Sequence, residues 1–329
     1  MHAELVVPGL FALPSAARLP AAELLIARGR CAIGASRGLE EWLQNAFEVE
    51  DAPLAAGALT LLAAGGEPAG YSWSRADPVH LRLMRDRLLL MPAPALRITS
   101  GEAQALCDAL NRHFGERLEV QVIDAARWVA RTAPELTLSA APPLALAGRD
   151  VALALPASTA AHPLLNEAQM VLHAHPVNEA REARGEPAIN SVWLWGAGRL
   201  PKLGAPSWHS VSADEPLALG LARAAGVRHR TLPPSGTAWL DRMPEEGRHL
   251  VVLDALRAPL ALSETADYQA ALAVLERDWF APLLAALRDG RVGMVTIHVP
   301  DAGDGVAYET IRGDLRRFWR RPRALEHYV

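Results

Sequence analysis

The chain has 329 residues, half of them apolar, with a formal charge of −4 and a pI near 6.3. That is enough apolar material for one large domain or two smaller ones, and the acidic balance gives no global pull towards nucleic acid or anionic membrane. Two cysteines, Cys31 and Cys107, exclude a disulfide framework and suit a reducing cytosol. No run reaches the ~18 uninterrupted apolar residues of a membrane helix. The first residues lack a basic region and Pro8 breaks the apolar run behind them, so no secretory signal is expected.

In chain order, Glu4 to Val7 reads as a short apolar strand closed by Pro8-Gly9. Leu19 to Arg28 reads as a helix ended by Gly29. Arg37 to Phe47 is another, with Leu39, Trp42, Leu43 and Phe47 at helical spacing. Asp51 to Gly70 is rich in Ala, Leu and Gly, and its Thr60 reads as core-facing. Tyr71 to Leu90 carries Arg75, Asp77, His80 and Arg82. Two arginines suit phosphate, while Asp77 and His80 are metal-ligand residue types; the plainer reading is a turn cap and structural ion pairs. A helix runs from Arg97 to about Phe114, with Thr99 or Ser100 as N-cap and Glu102 completing a capping arrangement. Leu118 to Ile123 and Ala126 to Ala130 read as strands, Thr132 to Pro156 as a Pro-rich connection, and Asn166 to His173 as a helix.

The most distinctive stretch is His175 to Gly198, HPVNEAREARGEPAINSVWLWGAG. Pro176 pushes His175 towards extended backbone. A charged helix is expected from Asn178, as its N-cap, to about Arg184, with Gly185 stopping it. Ile189 to Trp195 reads as a buried strand. Gly196-Ala197-Gly198 would let backbone approach a ligand at its C-terminal end, where open α/β sheets bind. Downstream, Arg199 to Lys202 is a cationic loop, Trp208 to Val211 a strand, and Leu217 to Ala225 a helix. Leu250 to Leu253 is a strand ending in Asp254, and Asp267 to Leu287 an amphipathic helix that Pro282 can break. Residues 292–311 read as an edge hairpin carrying His298. The tail from Gly313 to Arg323 is basic and contains Phe318 and Trp319.

The order His-Pro-Val-Asn, charged helix, Pro-Ala-Ile-Asn, apolar strand, Gly-Ala-Gly resembles the archaeal-type cofactor-independent phosphoglycerate mutases of the alkaline phosphatase superfamily. The resemblance is strong here and weaker over most of the remaining length. The chain is more similar still to a bacterial group of phosphoglycerate-mutase-like regulatory proteins named for the regulation of pathogenicity factors. The resemblance implies a metal-ligand Asp after the first strand, where this chain has Pro8. It implies a phosphoryl-accepting hydroxyl near Ala56, Gly57 or Ala58, an Asp-x-x-x-His motif after Asp254, and an Asp-His pair where Ile297 and His298 stand. Asp254 and His298 are then the vestigial metal candidates.

The expected fold is α/β, a three-layer αβα sandwich of the alkaline phosphatase type. Residues 1–70 and 150–329 form the main domain and 71–149 an inserted lid. The expected function is phosphoglycerate-mutase-like with a degenerate metal site, regulatory or ligand-sensing and non-catalytic. The alternative is an active phosphomutase or phosphate-ester hydrolase with a rearranged Mn or Zn site. The expected anion ligands are Arg75, Arg82, His175, Asn178 and Lys202, holding a small phosphorylated or carboxylated metabolite without a cofactor. The Arg/Trp tail is read as a surface for a protein partner or self-association in preference to nucleic acid, and the location as cytoplasmic.

Overall fold

The computed structural model describes residues 1–34, 36–50, 54–68, 70–131, 141–152, 161–243, 246–301 and 303–328. It is a mixed α/β protein whose chain divides into two compact units, residues 1–49 with 203–329, and residues 50–202. The described strands are β1 His2–Val6, β2 Arg30–Ile33, β3 Trp73–Leu83, β4 Leu88–Pro92, β5 Glu119–Asp124, β6 Arg127–Arg131, β7 Ser191–Gly198, β8 Ser210–Ser212, β9 Arg228–Arg230, β10 Arg248–Val252, β11 Met294–Val299 and β12 Val306–Ile311.

The first unit is built on a seven-stranded sheet in the order β2-β12-β11-β1-β10-β8-β9. The run from β11 to β9 is parallel, and β12 and β2 are antiparallel additions. Alternation along β1 decides its two faces. Ala3 and Leu5, with Val251, Val295 and Ile297 beside them, are fully buried in a core shared with helices Pro20–Arg28, Thr265–Leu275 and Ala281–Asp289. His2, Glu4, Thr296 and His298 face the other way. Pro282 does not break the long helix; one π-helical turn, Glu276–Phe280, joins its two α-helical parts. The expected edge hairpin is corrected by a strand that the residue pattern hides: β2 pairs outside β12 and takes the edge. Arg-Cys-Ala-Ile is too short and too exposed to show a pattern of period two.

The second unit holds a five-stranded antiparallel sheet, β4-β3-β6-β5, with β7 on the flank of β3. β6 pairs with β3 as far as Arg75, and β4 takes over from Val79. Pro78, which has no N–H to donate, sits at that change of partner. One face of the sheet is covered by helices Ser100–Phe114 and Ala161–His173, through Leu106, Leu110, Trp128, Leu172 and Val192. The other is covered by helix Ala56–Ala63, through Ala58, Leu61, Trp73 and Val129. The capping box at Thr99 forms as expected, the hydroxyl taking the Glu102 N–H at 3.2 Å and the Glu102 carboxylate taking the Thr99 N–H at 2.9 Å.

This sheet redraws the boundaries of 1–70, 71–149 and 150–329. The compact unit runs from 50 to 202 because β7 pairs with β3 over six positions and helix 56–63 packs on both strands. The strand expected at 189–195 is therefore an antiparallel member of this sheet and continues through Gly198. The expected connection over 132–156 falls largely on 132–140 and 153–156, which lie outside the described residues.

Candidate functional site

In the first unit the polar face of β1, β10 and β11 forms the floor of a cavity of about 460 Å³. At its centre is Glu4, 2 % exposed. Its Oε1 accepts from Arg248 Nε at 2.7 Å and lies 3.3 Å from His2 Nδ1; its Oε2 lies 3.2 Å from His298 Nε2. His2 Nε2 reaches Thr296 Oγ1 at 2.8 Å. Burial works to raise the Glu4 carboxyl, but the hydrogen bonds from His298 and Arg248 and the charges of His2 and Arg248 outweigh it and hold the group below the ordinary glutamate value. His2 is lowered, chiefly by burial.

Two indoles wall the cavity. Arg248 lies over the Trp208 ring at 4.6 Å, and Trp42, on helix Leu39–Ala46, meets the His298 ring at 4.9 Å and Trp208 at 6.4 Å. A carboxylate flanked by two imidazoles and a guanidinium can hold or exchange a proton. The guanidinium edge, on a side chain 43 % exposed, offers paired N–H donors to an anion.

A second ionisable group of residues lies at the C-terminal ends of β8 and β10. Glu215 caps helix Pro216–Ala224, accepting from Ala218 N at 2.9 Å, and burial pushes its carboxyl up to about 7 against the pull of Arg257. Arg257 pairs with Glu40 at 2.5 Å. Asp254 adds its charge to this cluster, while His298 turns to Glu4, so the two vestigial metal candidates serve different networks.

Of the five residues expected to share an anion, Arg75 and Arg82 are held apart. Arg75 is buried and bound to Asp77, at 3.0 Å from Nε and 2.5 Å from Nη2, and lies over the Trp195 ring at 5.3 Å. Trp195 donates to the other Asp77 oxygen at 2.7 Å, and burial pushes the Asp77 carboxyl up against these partners. Arg82 is exposed, seven positions further along β3. That odd spacing puts it on the opposite face of the sheet and ~23 Å away, so the two arginines cannot close on one small anion.

Asn178 is not the cap of its helix. His175 caps helix Pro176–Ala183, its Nδ1 accepting from Val177 N at 3.2 Å, and burial lowers the imidazole. Asn178 ties the helix to β7 instead: Nδ2 donates to Leu172 O at 2.8 Å and Ile189 O at 2.9 Å, and Oδ1 accepts from Ile189 N at 2.7 Å. Lys202 is exposed at the end of the second unit. Gly196 and Gly198 serve packing: a Cβ at either would fall 2.4 Å from that of Ala56 or 2.8 Å from that of Ala55, and Gly196 has φ +57°. His80 binds Ala188 O at 2.8 Å and Thr60 is fully buried.

Residue reasoning misses His2, Glu4, Arg248, Trp42 and Trp208. The available signal is Glu4 itself, a carboxylate within an apolar strand, together with polar residues two apart in His2/Glu4 and Thr296/His298. Only the register of three strands shows that these face one another.

Comparison with known proteins agrees with the mutase part of the sequence resemblance. The chain is 27 % identical over 198 residues to the "Probable 2,3-bisphosphoglycerate-independent phosphoglycerate mutase" of Geobacter sulfurreducens, covering 56 % of this chain and 48 % of that protein. It is 27 % identical over 213 residues to the 2,3-bisphosphoglycerate-independent phosphoglycerate mutase of Methanosarcina mazei, covering 57 % and 50 %. The chain is thus similar to 2,3-bisphosphoglycerate-independent phosphoglycerate mutases. It spans about half the length of these curated mutase relatives. A solved protein of Pyrococcus horikoshii shares the fold, with a TM-score of 0.59 at 14 % identity, covering 94 % of this chain and 86 % of that one. No protein-family profile matches. Among the described residues, no helix is long and apolar enough to cross a membrane.

Proposed function

We propose that this chain is a non-catalytic, ligand-sensing relative of the cofactor-independent phosphoglycerate mutases, of the bacterial regulatory type. In this reading the first unit is a three-layer αβα sandwich of the alkaline phosphatase type, the inserted unit stands in place of the lid, and the protein works in the cytoplasm. The carrying observation is the donor set at the C-terminal ends of the central strands. Metal-assisted phosphoryl transfer needs a nucleophile and several carboxylates and imidazoles converging on the ions.

Pro8, which follows β1, has no donor, and Ile297 is wholly buried in the helix-covered core. Asp301 takes the Gly9 N–H at 2.7 Å, and His298 and Asp254 serve separate networks. Among the described residues no three Asp, Glu, His or Cys side chains are grouped to hold a metal ion. Among the described residues, this donor set does not fit a Mn or Zn pair.

The sensing half of the proposal rests on the cavity over Glu4. Arg248, whose guanidinium stays charged, lines that cavity with Glu4, Glu48 and His298, and its exposed edge is the group that meets a small phosphorylated or carboxylated metabolite. A charge-assisted contact is worth about 1.5–3 kcal/mol, or roughly one to two decades of affinity. Calorimetric titration with phosphate and 3-phosphoglycerate should give binding by the wild type, weakened by that factor in Arg248→Ala. No binding at millimolar ligand, or equal binding by the variant, refutes the sensing reading.

A further inference from the structure

The C-terminal basic tail is fastened beside the open edge of the first unit's sheet. Arg317 donates to Arg28 O at 3.0 Å and Arg320 to Gly29 O at 2.6 Å, and Arg28 donates back to Leu315 O. Residues 28 and 29 lead directly into β2, so the tail is held at the start of that strand. Between these two fixed arginines, Phe318 and Trp319 form an edge-to-face pair at 5.3 Å, yet stand 77 % and 66 % exposed. At the far end of β2, Ile33 is 83 % exposed.

Among the described residues β2 has a strand partner on one side only, β12, and all four of its residues are exposed. A groove of about 570 Å³ runs beside it, lined by Arg30, Cys31, Arg320 and His327 over Tyr308 and Tyr328. Short edge strands with a charged residue are also how proteins discourage edge pairing. That account explains the shortness of β2. It leaves unexplained why two large aromatic rings are anchored in water next to it.

We propose that this edge is a docking site for an acidic, extended peptide segment of a partner protein, which pairs with β2 as an additional strand. Main-chain hydrogen bonds to the open edge supply affinity, and side chains projecting from alternate positions supply selectivity. Charge decides the kind of partner. Residues 312–323 contain six arginines and one aspartate, in a chain whose net charge is −4. Arg30 and Arg320 line the groove itself. Acidic side chains of the incoming strand meet these guanidinium groups, and its apolar side chains meet Phe318, Trp319 and Ile33. A nucleic acid also satisfies arginines and aromatics, but it has no backbone amides to pair with a strand edge.

The probes are a fluorescein-labelled decapeptide alternating glutamate and valine, its lysine–valine counterpart, and the acidic peptide with a central proline, all titrated against the full chain by anisotropy. The acidic peptide should bind saturably and more weakly as salt rises. The proline-interrupted and lysine peptides should bind at least tenfold more weakly, and Arg30→Glu or Trp319→Ala should weaken the acidic peptide by a similar factor while leaving the circular dichroism unchanged. Equal binding of the proline-interrupted peptide excludes strand pairing, and because it alters only the probe, it does not depend on how a variant folds. Tighter binding of an oligouridylate assigns the patch to nucleic acid, and light scattering that shows a dimer abolished by Trp319→Ala assigns it to self-association. Either result overturns the proposal.

Discussion

Glu215→Gln should make the protein more stable in mild alkali. Glu215 is buried at the start of helix 216–224, and burial lifts its carboxyl from 4.5 to about 7 although Arg257 pulls it down. In the unfolded chain the same carboxyl ionises near its ordinary value. A folded pKa raised in this way contributes stability that is full below the unfolded value and is lost as pH rises through about 7. At 1.36 kcal/mol per pKa unit the gap amounts to about 3 kcal/mol. Glutamine keeps an oxygen for the Ala218 N–H and has no charge to bury, so it escapes that loss. Urea denaturation at about pH 8 should place the variant up to ~3 kcal/mol above wild type, and at about pH 4 the two should nearly coincide. A variant less stable than wild type at the higher pH would show that Glu215 is ionised in the fold and held by Arg257, and would refute the reasoning.

Glu4→Gln removes a buried carboxylate from Arg248, His2 and His298 and should cost about 2–3 kcal/mol at neutral pH. Because the Glu4 carboxyl is held below its ordinary value, this gap is present above pH ~4.5 and should close as pH falls through the folded value, which acid titration of both proteins by circular dichroism would follow. Asn178→Ala leaves the carbonyls of Leu172 and Ile189 and the N–H of Ile189 without the side chain that binds them; hydrogen exchange at Ile189 should speed up and the second unit should lose about 3 kcal/mol. Gly196→Ala forces a side chain onto a left-handed residue against Ala56 and should destabilise by about 3 kcal/mol in thermal melts.

The helices are the legible part of this chain. Thr99 and Glu102 mark the start of one, and Leu39, Trp42 and Leu43 the buried side of another, because capping and periodicity of 3.6 are written within a few residues. Strand membership is a long-range property. Nothing between Ile189 and Gly198 says that its partner is β3 rather than a parallel neighbour, and the glycines that suggest a ligand are required by Ala55 and Ala56, more than a hundred residues earlier. The pairing of Arg75 is legible, since a carboxylate stands two positions away, but the face on which Arg82 lies is visible only in the sheet. The cavity over Glu4 needs the pairing of β1 with β10 and β11, strands separated by more than two hundred residues.

The central claim is that a phosphoglycerate-mutase-like scaffold persists here without the metal chemistry. Its most direct test is elemental analysis of the purified protein after incubation with Mn and Zn, paired with an assay for interconversion of 2- and 3-phosphoglycerate on the same sample. The account predicts no stoichiometric transition metal and no turnover above the uncatalysed rate, because Pro8 and Ile297 supply no ligand and Asp254 and His298 serve different networks. A tightly held pair of metal ions per chain, with turnover that a chelator abolishes and added metal restores, would contradict it.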